Sequence, residues 1–162
     1  MSFEIRALDE ADRAWVHQLL QQQWGTVVVS RGRLHHADRL PGFVAVRAGA
    51  RFGLLTFHIE GDQLEVVTLN SLEERQGIGA ALLRAAQETA RAAGCRRLWL
   101  ITTNDNLPAI AFYHHQGLSV VAVHRGAIAS ARQLKPQIPE RGIGGALIED
   151  EIEFALPIAP AD

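Results

Sequence analysis

The chain has 162 residues, of which 48% are hydrophobic and 21% are charged, and its formal net charge is -2. This length and composition predict one globular domain over residues 1–162 and exclude a disordered or fibrous class. The basic residues are scattered along the chain, so we expect no nucleic-acid partner. Because no apolar run approaches the roughly 20 residues needed to cross a bilayer, we also expect no membrane partner and a cytoplasmic location.

The N-terminal stretch predicts a strand followed by a helix. Residues 3–6 alternate apolar and polar side chains, as in a short strand. Asp9 then stands as a candidate N-cap for a helix. The apolar face of this helix carries Trp15, Leu19 and Leu20.

Three strand patterns come next. Residues 25–41, which are punctuated by glycine and proline, are interpreted as a loop with some local structure, because the β-branched run at 26–29 is too short to assign as a strand. Strand patterns then follow at 43–47, 52–60 and 64–69. The short turns between them, AGA and GDQ, predict an antiparallel meander.

The pattern changes to a helical period after residue 77. Apolar side chains recur at helical spacing from Ile78 to Ala93, and Gly94 is placed to end this helix in a left-handed conformation. Residues 97–102 are nearly all apolar and predict a central strand buried on both faces, with Trp99 in the core.

The C-terminal elements continue the alternation. Asn106 is a candidate N-cap for a second helix, which Gly117 ends. Residues 118–123 predict a strand, 126–134 a short helix and 146–156 a last strand. Helices that connect consecutive apolar strands favour parallel pairing there, so we expect a mixed α/β sheet.

Two glycine-rich stretches look alike, RQGIG at 75–79 and RGIGG at 141–145. The first lies between a strand and a helix, where unpaired N–H groups and the helix dipole favour an anion. It lacks the P-loop lysine and the third glycine of a dinucleotide fingerprint. The second stretch follows Pro139 and precedes acidic residues, which would repel a phosphate, so it is interpreted as a turn.

A later segment makes the first loop more specific. It reads NLPAIAFYHHQGL, from Asn106 to Leu118, and begins about 30 residues after the loop. Together the two segments resemble the Gcn5-related N-acetyltransferase (GNAT) family, and the resemblance covers nearly the whole chain. It implies a mixed, mostly antiparallel twisted sheet with a central splayed parallel pair, flanked by helices. It also implies an enzyme that transfers an acetyl group from acetyl-CoA to a primary amine.

The resemblance implies a coenzyme site at the loop and on the strand before it. In the family an R/Q-x-x-G-x-G/A loop binds the pyrophosphate of coenzyme A. The corresponding residues here are Arg75, Gln76, Gly77, Ile78, Gly79 and Ala80. The end of the preceding strand, Val67 to Leu69, is implied to pair with pantetheine and to give an N–H to the thioester oxygen. Asn106 and Ala109 match the later motif, and Asn106 either bonds the pantetheine arm or serves only as the helix cap.

Two side chains are candidates for proton transfer. Family members often carry a glutamate base on the strand at 64–69, where Glu65 is the ionisable residue; the alternatives are a solvated edge position and Glu73 as a rival base. Tyr113 could donate to the leaving thiolate, since a phenol has a pKa of about 10 and a thiol about 8.5. The alternative for Tyr113 is core packing. Cys95 is poorly placed for a nucleophile, so attack is expected to be direct.

One residue of the loop departs from the family pattern. Glu74 stands where the family has Arg or Gln, so we expect weakened coenzyme binding, with Arg75 compensating.

The segments RLWLITTNDN and ARQLKPQIPE resemble a bacterial subgroup of the family. The rival interpretation is a non-catalytic acyl-CoA-binding module that regulates or scaffolds a partner.

The acceptor stays open among polyamines, amino acids, antibiotics, peptide N-termini and protein lysines, and acyl chain length is open too. Family members commonly form homodimers. Trp24 is a further candidate for lining an acceptor pocket. We expect no metal site, because neighbouring residues such as His35 and His36, or His114 and His115, point apart.

Overall fold

The computed structural model of the protein describes residues 2–73 and 76–160. Within these ranges the chain forms nine strands and four α-helices. In order they are β1 (Glu4–Ala7), α1 (Arg13–Gln23), β2 (Val27–Ser30), β3 (Arg33–His36), β4 (Gly42–Arg47), β5 (Ala50–Glu60), β6 (Gln63–Ser71), α2 (Ile78–Ala92), β7 (Arg97–Thr103), α3 (Leu107–His115), β8 (Ser119–His124), α4 (Ala127–Leu134) and β9 (Glu151–Pro157). No helix in this part of the chain is long and apolar enough to cross a membrane.

Seven strands form one sheet in the order β1-β4-β5-β6-β7-β9-β8. Every neighbouring pair is antiparallel except β6 and β7, which are parallel and joined through α2. The two remaining strands, β2 and β3, form a separate hairpin. The prediction of a mixed, mostly antiparallel sheet with a central parallel pair is therefore confirmed.

The sheet buries apolar side chains on both faces. On one face α2 packs its apolar side onto the central strands, and its fully buried residues include Leu82, Leu83 and Ala86. On the other face α1 contributes Val16, Leu19 and Leu20 to a smaller cluster that also contains Leu54 of β5. Because α1 and the hairpin cover only part of this second face, polar side chains of the central strands line a cavity there.

A buried carboxylate ties α1 to the sheet. Asp12 is fully buried, and it accepts hydrogen bonds from Arg6 of β1 at 2.7 and 3.0 Å and from Arg51 of β5 at 2.9 Å. The N–H of Asp9, the predicted cap, donates to the same carboxylate at 2.8 Å. Arg6 is the main reason that the pKa of Asp12 lies well below its usual range.

The prediction of a loop with some local structure over residues 25–41 missed two regular strands, because the chain forms the β2–β3 hairpin there. Its two-residue turn consists of Arg31 and Gly32, whose φ angles of 49° and 77° are both left-handed, as in a type I′ turn. An arginine at the first of these positions is not a usual turn signal, which explains why the sequence pattern did not reveal the hairpin.

The last strand is shorter than predicted and lies elsewhere. It begins at Glu151 instead of Ala146, and it is inserted between β7 and β8, so these two strands are not paired as the helical connection suggested. The segment before it is held by the side chain of Asn104, which accepts from the N–H groups of Glu149 and Asp150 and donates to the carbonyl of Leu147. The turn predicted at 141–145 is confirmed as a short 3-10 turn over Ile143–Gly145.

Strand β7 is buried on one face only. Leu98, Leu100 and Thr102 are buried, whereas the alternate residues are partly exposed. Trp99 is one of the partly exposed residues and lines a cavity, so its predicted place in the core is wrong. An all-apolar sequence cannot distinguish a core face from the wall of a cavity.

Candidate active site

Strands β6 and β7 separate soon after they pair. Their parallel register covers only Gln63 with Arg97, Leu64 with Leu98 and Glu65 with Trp99. Strand β6 nevertheless continues to Ser71 along its other neighbour, β5. Backbone groups on the β7 side of β6 are therefore free to pair with another extended molecule beyond Glu65.

A β-bulge marks the start of the gap. Thr56 of β5 pairs with Thr68 of β6 and the next residue, Phe57, pairs with Val66, so Val67 has no partner across the ladder. A bulge re-aims the backbone of the strand that carries it. Val67 and, two residues further on, Leu69 thus lie on the free part of β6, as the predicted thioester and pantetheine contacts require.

The N-terminus of α2 follows this strand and presents unpaired donors. Gly77 is its N-cap with a φ of 76°, and the N–H of Ala81 is bonded to the Gly77 carbonyl at 3.0 Å. The N–H groups of the first turn, from Ile78 to Ala80, have no partner within a helix. Among residues 2–73 and 76–160, no side chain caps this end, and the first turn of α2 holds no acidic residue, so the geometry suits an anion. Gln76 is exposed beside it, and the predicted contact Arg75 and its neighbour Glu74 lie outside the described residues.

Helix α3 carries the second predicted motif and packs against the first turn of α2, where the ring of Phe112 lies over Gly79. Asn106 is the N-cap, and its Oδ1 accepts the N–H of Ala109 at 3.3 Å. The predicted capping role of Asn106 is confirmed by this bond. Its amide nitrogen is not used by the cap, so a contact with the coenzyme stays a prediction, as does one at Ala109.

Tyr113 packs in the core, as its alternative interpretation expected, and its role as a donor to the thiolate stays a prediction. Its ring packs between Phe112 and Phe154, with ring centroids 5.5 and 5.6 Å away. Burial raises the pKa of Tyr113 to about 12. The phenol therefore stays protonated at neutral pH and can act as a hydrogen-bond donor.

Glu65 is buried, so the alternative of a solvated edge residue is wrong. Its side chain is only 6% exposed, and its carboxylate Oε1 lies 3.2 Å from Nε2 of His35 on the hairpin. His58 faces it from β5, across the β5–β6 ladder, and Trp99 is its partner on β7. Burial is the main cause that lowers the pKa of His58, and the charge of Arg33 adds to it, so the ring is a neutral acceptor near pH 7.

A cavity of about 250 Å³ opens beside Glu65. Its walls come from the hairpin, from the end of β5 and from the first residues of β6 and β7. They consist of Ser30, Arg31, Arg33, His58, Glu60, Gln63, Glu65 and Trp99. Arg33 and Glu60 are paired at 2.8 Å, so one positive and one negative wall residue neutralise each other. Apart from this pair, the walls combine an arginine, a buried carboxylate, neutral polar groups and an indole.

The C-terminal part of the chain fixes the hairpin that covers Glu65. Lys135 donates to the carbonyl oxygens of Trp24 and Val27 at 2.6 and 2.7 Å, and burial lowers its pKa. The buried carboxylate of Glu151 accepts the N–H of Arg31 at 3.2 Å, and burial raises the pKa of Glu151. Both ends of the hairpin are therefore anchored by residues that are distant in sequence.

Other sequence candidates lie elsewhere. Glu73 forms a two-pronged pair with Arg47 at 2.9 and 3.0 Å, which occupies its carboxylate. Trp24 is 58% exposed and does not line the cavity. Cys95 is buried, and burial raises the pKa of its thiol. Within residues 2–73 and 76–160, no three His, Cys, Asp or Glu side chains are placed to hold a metal ion.

Sequence reasoning missed His35 and His58. Alternation along β5 and β6 would have put His58 on the same face as Glu65 once the register was known. His35 could not be found in this way, because the hairpin that carries it was interpreted as a loop.

The chain matches known proteins along most of its length. The family model of the acetyltransferase (GNAT) family matches residues 5–118. YdhI of Bacillus subtilis, a protein described as uncharacterized, is 45% identical over 140 residues, which are 85% of this chain and 87% of that protein.

Two further relatives have a described activity or a solved structure. Streptothricin acetyltransferase of Streptomyces lavendulae is 36% identical over 80 residues, 49% of this chain and 39% of that enzyme. A Bacillus subtilis acetyltransferase solved in complex with CoA superimposes with a TM-score of 0.75 at 17% identity, covering 98% of this chain and 100% of that one. At this identity the structural likeness shows a shared fold.

Proposed function

The chain belongs to the acetyltransferase (GNAT) family, and we propose that it transfers an acetyl group from acetyl-CoA to a primary amine by direct attack. The observation that carries the proposal is the gap where β6 leaves β7, with buried Glu65 at its start and the open N-terminus of α2 at its end. The proposal takes residues 1–162 as one catalytic domain.

Acetyl-CoA fits this part of the fold in two places. The first-turn N–H groups of α2, from Gly77 to Ala80, together with Gln76 and Arg75, would hold the pyrophosphate. The free edge of β6 would pair with the amide groups of pantetheine, with Asn106 and Ala109 on its other side. The CoA complex of the structurally similar Bacillus subtilis acetyltransferase supports the choice of coenzyme.

Glu65 is proposed as the base. An alkyl ammonium has a pKa of about 10, so the acceptor must lose a proton before its nitrogen can attack. Glu65 lines the cavity and lies two residues before Val67, which is roughly 7 Å along a strand. An amine held in the cavity can thus reach both the carboxylate and a thioester placed at the bulge.

The backbone of the bulge is proposed to stabilise the developing charge. When the amine nitrogen bonds to the thioester carbon, the electrons of the C=O bond move to the oxygen. The N–H of Val67 would donate to that oxygen, as in an oxyanion hole. Breaking the C–S bond then restores the carbonyl and leaves the electron pair on sulfur.

Tyr113 is proposed to donate a hydrogen bond to the sulfur. Because its pKa is about 12, complete proton transfer to a thiolate with a conjugate-acid pKa near 8.5 is uphill by about 5 kcal/mol. The phenol therefore lowers the energy of the thiolate by hydrogen bonding. The amine nitrogen, which gave its first proton to Glu65, loses a second proton after the attack, and this proton passes to the sulfur to give the CoA thiol. This refines the general-acid role expected from the resemblance.

A coupled assay tests the proposal. Release of the CoA thiol is followed with a thiol-reactive dye, with acetyl-CoA and a panel of polyamines, amino acids, aminoglycoside and streptothricin-type antibiotics, and short peptides. Amine-dependent release together with an acetylated product on mass spectrometry supports the proposal. Tight acetyl-CoA binding without release for any amine would instead favour a non-catalytic acyl-CoA-binding module.

The streptothricin relative makes amine-bearing antibiotics a first group of acceptors to test, and longer acyl-CoA donors are the second variable.

Membership of the bacterial subgroup is also proposed. Its support is that the two subgroup segments have defined structural tasks here: Asn104 holds residues 147–150 and Lys135 anchors the hairpin. A homodimer and a cytoplasmic location stay predictions.

A further inference from the structure

The hairpin carries a histidine that stands directly against the proposed base. His35 of β3 is buried with a side chain 3% exposed, and its Nε2 is 3.2 Å from Oε1 of Glu65. His35 does not line the cavity, whereas Glu65 does. The carboxylate thus separates the imidazole from the space that an acceptor would enter.

Polar atoms around this pair are left without partners. Oγ of Ser30 and the Nε2 atoms of His35 and His58 are buried and make no hydrogen bond with the described part of the chain. The contact between His35 and Glu65 has the distance of an ion pair but not the alignment of a hydrogen bond. Unsatisfied buried polar groups are costly to folding, so two of them in the wall of the cavity and a third behind Glu65 point to a ligand or a moving proton.

The imidazole is held on a rigid support. The ring of His35 lies 5.4 Å from that of His58, and the ends of the hairpin are tied by Lys135 and Glu151, as described above. Other charged or titratable groups face the pair from neighbouring elements. They are His58 and Glu60 of β5, Arg31 and Arg33 of the hairpin, and Glu151 of β9.

We propose that His35 is a positioning residue that orients Glu65 toward the cavity and receives the proton that Glu65 removes from the acceptor. This rests on the proposed function. It also defines the acceptor as a primary amine whose ammonium end enters a cavity of about 250 Å³ and meets one carboxylate. A bulky acceptor would have to offer such an amine on an extended arm.

The proton balance of this step is simple. The ammonium gives one proton to the carboxylate of Glu65, which leaves a neutral amine and a neutral carboxylic acid. The acid then gives that proton to Nε2 of His35, which restores the carboxylate and forms an imidazolium. After the product leaves, the proton returns through the carboxylate of Glu65 to solvent that enters the cavity, which restores the starting state.

An NMR comparison at one fixed pH tests the pairing without any assay of activity. The imidazole ¹⁵N signals of His35 are recorded in the wild type and in Glu65→Gln, and His36, its exposed neighbour on β3, serves as the internal control. We expect a clear change in the Nε2 chemical shift of His35 in Glu65→Gln, because Oε1 of Glu65 lies 3.2 Å from that atom. The signals of His36 should stay unchanged. An unchanged Nε2 signal of His35 overturns the proposal.

Kinetics of His35→Gln, with His36→Gln as the matched control, test the role in transfer. We expect His35→Gln to lower kcat/KM for the amine by roughly tenfold to a hundredfold and to alter its pH profile, with the KM for acetyl-CoA unchanged. If the wild type transfers acetyl groups and the two variants have equal kinetics, the role of His35 is overturned and the proposed function stands. No transfer by the wild type with any amine overturns the proposed function, and the proton-accepting role with it.

Discussion

A Cβ atom placed on Gly79 would lie 3.0 Å from Cζ of Phe112, so the second glycine of the loop makes room for a side chain of α3. Gly77 differs, because its φ is 76° and a Cβ there would meet no atom within 4 Å. Gly77 is required by the backbone of the turn and Gly79 by the contact between two helices. The two glycines of one motif therefore have separate physical tasks.

Substitution of Gly79 should lower the stability of the fold as well as weaken coenzyme binding. At Gly79 a methyl group must displace the ring of Phe112. We expect Gly79→Ala to lower the free energy of unfolding by roughly 1–2 kcal/mol in urea. In a Phe112→Leu background the same change should cost clearly less. Equal costs in both backgrounds would contradict the contact.

Tyr113→Phe should separate chemistry from binding. The ring keeps its contacts with Phe112 and Phe154, so stability and acetyl-CoA affinity should hold. Loss of the hydroxyl should lower kcat by roughly a hundredfold, because the thiolate loses its donor. Steady-state kinetics beside an acetyl-CoA titration check this, and unchanged turnover would remove the donor role from Tyr113.

Glu65→Gln and Glu73→Gln form a matched test of the base. Glu65 is buried beside the cavity, whereas Glu73 is bound to Arg47. We expect Glu65→Gln to lower kcat by roughly 10²–10⁴-fold with an amine of high pKa, and Glu73→Gln to stay within a few-fold of the wild type. The loss at Glu65 should shrink at alkaline pH, where the free amine forms without a base. The reverse order of the two variants would assign the base to Glu73.

Asp12 should control stability in acid. Its pKa is depressed, mainly by Arg6, so its contribution is complete above its unfolded pKa of about 3.9 and is lost as pH falls further toward the folded value. Asp12→Asn should lower stability at pH 7 by roughly 3 kcal/mol, because two arginines lose a buried partner. Below about pH 4, the free energy of unfolding of the variant should decline less steeply with falling pH than that of the wild type. Urea unfolding at pH 7 and pH 3 measures both effects, and a parallel decline in both proteins would contradict this account.

The sequence predicted local elements well because their signals are local. Capping by Asn106, the left-handed stop at Gly94 and the helical period of α2 each depend on residues close in the chain. The splayed pair of strands was expected because the Gly77 loop and the Asn106 segment resemble the family. These features place the coenzyme end of the candidate site.

The acceptor side could not be predicted because its contacts are distant in sequence. His35 and Glu65 are 30 positions apart, and they meet only because a hairpin that carries no usual turn signal folds over β6. The anchors Lys135 and Glu151 come from the other end of the chain. The same reason explains β9, whose insertion between β7 and β8 depends on long-range pairing.

The central claim is that the gap beside β6 and the N-terminus of α2 form a site for acetyl-CoA. Isothermal titration of the protein with acetyl-CoA, with ATP and NAD as controls, tests it most directly when Gly77→Ala is titrated in parallel. We expect selective binding of acetyl-CoA by the wild type, weakened roughly tenfold or more in Gly77→Ala, because alanine disfavours the left-handed turn that presents the donors. Absence of binding by the folded wild type, or equal binding of ATP and NAD, would contradict the claim.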